Sequence, residues 1–174
     1  MRIKLVPIAF AAAFLLALPS AASARSVLSP GELSVAAELV GDGAPRVSPS
    51  AGFLVRYALS HDLALFGDLA LFHRFRKGDD PATFYAVGGG AQFVPFSSKH
   101  ASVLLRGGLQ FIPRPDNDGQ ELGIRFYAGP GVEARLTDNF SLQFFASFLD
   151  LQVGGDSTDF DIGLLPSIGA YLYF

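Results

Sequence analysis

From Phe160 onward, apolar side chains recur at every second position: Phe160, Ile162, Leu164, Pro166, Ile168, Ala170, Leu172 and Phe174. Successive side chains of a strand point to opposite sides, so this spacing predicts one extended strand with an oily face. The intervening Asp161, Gly163, Leu165, Ser167, Gly169, Tyr171 and Tyr173 make the other face mixed, polar and small. A chain built from such strands must close or pair every edge, and that requirement limits it to sheets and barrels.

The same period recurs along the chain. Seven further segments alternate over roughly 9 to 11 residues or more, the length of a tilted membrane-crossing strand. The predicted strands run over 32–41, 50–59, 62–72, 83–95, 101–112, 121–136, 139–151 and 159–174. Their connections alternate. Ser60-His61, Phe96 to His100 and Thr137-Asp138 are short, whereas Asp42 to Pro49, His73 to Ala82, Pro113 to Gln120 and Gln152 to Thr158 are longer and rich in Gly, Pro and Asp. Three short turns and four longer links are expected of an up-and-down barrel with both termini at one end. The expected fold is an all-β, eight-stranded antiparallel up-and-down transmembrane β-barrel.

The N-terminus supports export. Arg2 and Lys4 precede an apolar stretch from Leu5 to Leu18, a breaking Pro19 and the small residues Ala22-Ser23-Ala24, the layout of a cleaved secretory signal peptide. The expected division is a leader over 1–24 and a barrel domain over 25–174. The apolar run is shorter than the ~20 residues of a spanning helix, and no later run reaches that length. The expected mature chain holds 11 of the 13 Lys and Arg against all 16 acids, a formal charge of −5, which speaks against nucleic-acid binding. With no cysteine there is no disulfide frame, lipidated cysteine or thiolate chemistry.

Periodicity alone does not say which face of a sheet is rolled inward. The third strand sets Leu63, Leu65, Leu69 and Leu71 against Ala64, Phe66, Asp68 and Ala70, and charges elsewhere also fall opposite the oil. The oily set includes Phe53, Tyr57, Tyr85, Phe93, Phe111, Phe126, Phe140, Phe144, Phe148, Phe160 and Phe174, more rings than one small soluble barrel would enclose, so it is assigned to lipid. Glu38, Asp68 and Glu133 are then expected inside with Arg56, Arg106, Arg125 and Arg135. An eight-stranded barrel is about filled by its side chains, so these charges are expected to pair and plug the lumen. Four arginines against three acids leave that expected lumen slightly positive.

The chain resembles the small outer-membrane β-barrel family of Gram-negative bacteria, the OmpA-like and porin-like transmembrane domains, over essentially the whole mature length. The most specific element is the terminal Gly-Ala-Tyr-Leu-Tyr-Phe, Gly169 to Phe174. The resemblance implies that Tyr171, Leu172, Tyr173 and Phe174 act as the signal read by the barrel-assembly machinery. It also implies residence in the outer membrane among its lipids and lipopolysaccharide. No peptidoglycan-binding domain is expected after Phe174, so cell-wall tethering is left out of the expected role.

A structural or surface-interacting role is therefore expected, with a narrow porin-like channel as its first alternative. A lipid A-modifying enzyme is a second, but His61 and His100 fall in turns and His73 stands beside Arg74 with no matching nucleophile and acid, so no catalytic residue is assigned. A soluble lipocalin-like barrel is a third. Arg74, Arg76 and Lys77 are candidate contacts for lipopolysaccharide phosphates. Asp116-Asn117-Asp118-Gly119 reads as a hairpin turn rather than a calcium loop, and no metal or cofactor is expected.

Overall fold

The computed structural model describes residues 28–40, 50–74, 82–98, 100–116, 119–154 and 157–174. The expected leader over 1–24, the candidates Arg76 and Lys77, and the side chain of Arg74 lie outside them. Eight strands follow one another: β1 Leu33–Val40, β2 Ser50–Ala58, β3 Leu63–Arg74, β4 Ala82–Ser97, β5 Ala101–Asp116, β6 Gly119–Thr137, β7 Phe140–Gly154 and β8 Ser157–Tyr173. Each pairs antiparallel with the next, and β1 pairs with β8 from Ser34↔Tyr173 to Val40↔Ser167, closing the barrel. Closure satisfies both backbone edges of every strand wherever the ladders run, the condition for crossing lipid.

The three short turns stand as expected, at 59–62, 98–100 and 138–139. The four longer links do not all survive. β5 and β6 pair as far as Asp116↔Gly119, and β7 and β8 as far as Gly154↔Ser157, so those connections shrink to 117–118 and 155–156. The prolines that suggested loop are absorbed into strands where they remove little. The β4–β5 ladder ends at Val87↔Phe111, so Pro113 and Pro115 lie on a stretch of β5 paired only on its β6 side. Pro95 and Pro130, already inside predicted strands, sit where the register slips by a residue. Positions at edges and bulges are those a strand proline tolerates.

The faces are those of an inside-out barrel. Leu63, Leu65, Leu69 and Leu71 are exposed, while Ala64, Phe66 and Ala70 are buried. Of the rings assigned outward, Phe53, Tyr57, Tyr85, Phe93, Phe111, Phe126, Phe144, Phe148 and Phe174 are exposed and Phe140 is half-buried; the side chain of Phe160 lies outside the described residues. Arg56, Glu133, Gln143 and Gln92 are each 1% exposed. A lipocalin-like barrel needs an apolar interior and a polar exterior, and this distribution is the reverse, so that alternative falls.

Inside the wall, glycines make room where strands and side chains approach closely. A methyl group built on Gly90 would stand 2.1 Å from the carbonyl oxygen of Gly107 and 2.8 Å from Cζ of Phe66. Overpacking of this kind typically costs about 1–3 kcal/mol. Gly90→Ala is therefore expected to lower the urea midpoint of the refolded barrel, whereas Gly67→Ala, whose added carbon meets nothing closer than 3.8 Å, should leave it nearly unchanged. Equal midpoints for the two variants would show that this contact does not limit packing.

Candidate functional site in the barrel interior

Alternation on the eight strands aims a column of charged groups at the barrel axis. Nearest the short-turn end, Arg135 Nη2 lies 2.8 Å from Glu32 Oε1, with its guanidinium 4.2 Å from the Tyr173 ring centroid. Arg56 comes next. It meets both Glu133 oxygens, Nη1–Oε2 at 2.8 Å and Nη2–Oε1 at 3.3 Å, and donates further to Tyr173 Oη at 2.6 Å and Ser34 Oγ at 3.1 Å. Ser141 donates to the same Glu133 at 2.6 Å. A planar guanidinium facing a carboxylate through two nitrogens is the strong, directional form of the ion pair.

Further along, Arg106 spans Glu38 at 2.5 Å and 3.0 Å, and Tyr171 donates its hydroxyl to Glu38 at 2.6 Å. The Arg106 guanidinium lies 4.1 Å from the Phe145 centroid and 5.6 Å from that of Phe66. Such faces attract a cation that has left water. Toward the loop end Arg125 chelates Asp150 and donates to Gln110 at 3.2 Å. Asp68 accepts from Gln110 at 2.6 Å and from Tyr127 at 3.2 Å; its Oδ1 has no hydrogen-bond partner among the described residues. Asp68 is thus held by neutral donors.

All seven charges expected inside, Glu38, Arg56, Asp68, Arg106, Arg125, Glu133 and Arg135, are in this column. Two acids were missing from the expectation. Glu32 opens the predicted first strand and shares the parity of Ser34, Ala36 and Glu38, so the alternation already placed it on the inner face. Asp150 escaped for another reason. On β7 the register slips between Ser147 and Leu149, Phe148 and Leu149 both face outward, and Asp150 is thereby turned inward and Val153 outward. Five acids against four arginines replace the expected positive balance with a negative one among the described interior residues. At the terminus Tyr171 and Tyr173 are buried with their hydroxyls in this network, whereas Leu172 and Phe174 face out.

A closed antiparallel barrel with an apolar exterior and an ion-paired interior defines the transmembrane class of β-barrel. Its fold is that of the small outer-membrane barrels. The N-terminal β-barrel domain of Pseudomonas aeruginosa OprF is similar over 84% of this chain and 100% of its own length, at 19% identity and a TM-score of 0.61. A de novo designed transmembrane β-barrel covers 84% of this chain and 98% of its own at 20% identity, with a TM-score of 0.51. The outer-membrane protein Ail of Yersinia pestis, in a phospholipid bilayer nanodisc, covers 83% and 99% at 17% identity and a TM-score of 0.50. No protein-family model and no curated protein sequence matches the chain.

Proposed function

We propose that this protein is an integral protein of the bacterial outer membrane whose role is structural or surface-interacting and whose lumen is plugged by its own side chains. The observation that carries the reading is the interior column: Arg56–Glu133 and Arg106–Glu38 are two-pronged pairs whose side chains are at most 10% exposed. Interlocked groups of this kind in so narrow a barrel leave little path for solutes. Export by the leader over 1–24 and assembly through Tyr171 to Phe174 belong to the same reading. So do contacts of Arg74, Arg76 and Lys77 with lipopolysaccharide phosphates.

The second reading is a narrow channel. It is favoured by an interior whose polar atoms are not all paired, with Asp68 Oδ1, Gln92 Nε2 and Gln143 Nε2 lacking partners among the described residues. Water at those atoms would begin a wet path. The excess acid then predicts a preference for cations, through a ring of charge acting on the passing ion.

Planar-bilayer recording of the refolded mature protein, with Arg106→Ala beside it, separates the two. A plugged barrel inserts without discrete steps, and Arg106→Ala, which leaves Glu38 uncompensated, introduces leak or noise. Discrete, salt-dependent, cation-selective steps in the native protein would instead establish the channel and defeat the plug.

A further inference from the structure

The five residues ahead of and including Glu32 are folded under the barrel and do not trail from it. Leu28 is 1% exposed and belongs to the same apolar cluster as Leu54, Ala58, Ala64, Val94 and Leu104. The chain then turns sharply. Glu32 N–H donates to Ser29 O at 2.9 Å, Ser29 N–H donates to Glu32 Oε2 at 3.1 Å, and Gly31 takes φ +84°, a conformation that β-branched residues avoid.

This turn is tied to three places on the barrel. Along β2, Gly31 N–H donates to Ala58 O at 2.8 Å and Ala58 N–H donates to Glu32 O at 3.0 Å. At the β2–β3 turn, the His61 ring nitrogen Nδ1 lies 3.1 Å from Leu28 O. Across the barrel, Glu32 Oε1 holds Arg135 of β6. A flexible tail would have no cause to bury a leucine, adopt a left-handed glycine and reach both sides of the rim. Those features together describe a closure.

We propose that Leu28–Glu32 is a built-in stopper that seals the barrel at its short-turn end, with Leu28 as the plug and Glu32 as the clasp. It shares the Glu32–Arg135 pair with the ion-pair column, whose remaining pairs block the lumen further along its length. With the stopper seated, any ligand or ion that reaches the column enters from the loop end alone. Opening the short-turn end requires Leu28 to leave its apolar seat and Glu32 to release Arg135. The stopper thereby makes access to the interior one-sided.

The absence of cysteine from the chain allows a direct test, since one introduced thiol is the only thiol present. Ala58→Cys, at a position 1% exposed beside the stopper, is refolded in lipid vesicles and in detergent and treated with a charged, membrane-impermeant methanethiosulfonate. Asp138→Cys, in the exposed β6–β7 turn, gives the rate for an open site. With the stopper intact, the thiol of Ala58→Cys should react at least about tenfold more slowly than that control, the protection expected of a locally closed region. Adding Leu28→Asp or Gly31→Val to Ala58→Cys should bring the rate close to the control, while gel mobility without boiling still reports a closed barrel. Should either variant fail to fold, Glu32→Gln, which weakens the clasp and leaves Leu28 in place, should give an intermediate rate. Fast labelling with the stopper intact would show that no seal exists. Slow labelling in every folded stopper variant would assign the protection to the ion pairs alone, and either result overturns the proposal.

Discussion

Arg56→Ala is expected to destabilise the barrel by about 3–5 kcal/mol, the cost of leaving one member of a buried pair without its counter-charge. Glu133 would keep Ser141 as a donor, but at 1% exposure it is out of reach of the bulk solvent that could replace the two guanidinium nitrogens. Urea unfolding in lipid vesicles should show the loss as a lower midpoint with an unchanged slope. The double variant Arg56→Met/Glu133→Leu should recover most of it, because an apolar pair of similar volume often replaces a buried ion pair at little cost. That recovery would show the pair to be a filler that must be whole or absent. An Arg56→Ala midpoint equal to the native one would mean that the interior is hydrated enough to solvate Glu133, and would favour the channel over the plug.

Leu65→Arg carries the other large effect. Leu65 stands on β3 between Tyr57 and Ala91, faces outward and is 48% exposed. Placed against hydrocarbon, an arginine there is expected to cost about 2–4 kcal/mol, and the cost should fall to roughly 0–1 kcal/mol near the membrane interface. Leu59→Arg, in the turn after β2, is the interfacial partner of the experiment; Leu59 is exposed to the same 48%. A difference between two equally exposed leucines is therefore a difference in depth. If both variants assembled and unfolded like the native barrel, the apolar belt would not face lipid.

Much of the architecture was legible because a strand's period is two and the chain keeps it. The Leu63 to Leu71 alternation, the charges opposite the oil and the short turns at Ser60-His61 and Thr137-Asp138 all belong to local geometry. The two longer links that disappeared show the limit of that reading. Pro113, Pro115 and the residues around Gly154 look like loop in sequence, yet a strand paired on one side gives up nothing by lacking an N–H there. Only the neighbours determine whether that side is paired.

The interior divides in the same way. That Arg56, Arg106, Arg125 and Arg135 lie on the face opposite the oil follows from alternation within each strand, and the number of rings on the oily face turns the charged face inward. Which acid each arginine meets does not follow, because Arg56 and Glu133 are 77 residues apart and their meeting depends on every register between β2 and β6. Asp150 was hidden by the one-residue slip at Phe148 and Leu149, which a two-fold period has no means to signal. The folding-back of Leu28 beneath the rim was hidden too, since one leucine ahead of a strand has no period at all. The strands, their oily faces and the side on which charge lies are written in the order of the residues, because these are properties of neighbours along the chain. The pairings, the balance of interior charge and the closure at the base come from the folded barrel, because they depend on where distant strands stand once the sheet has been rolled and sheared.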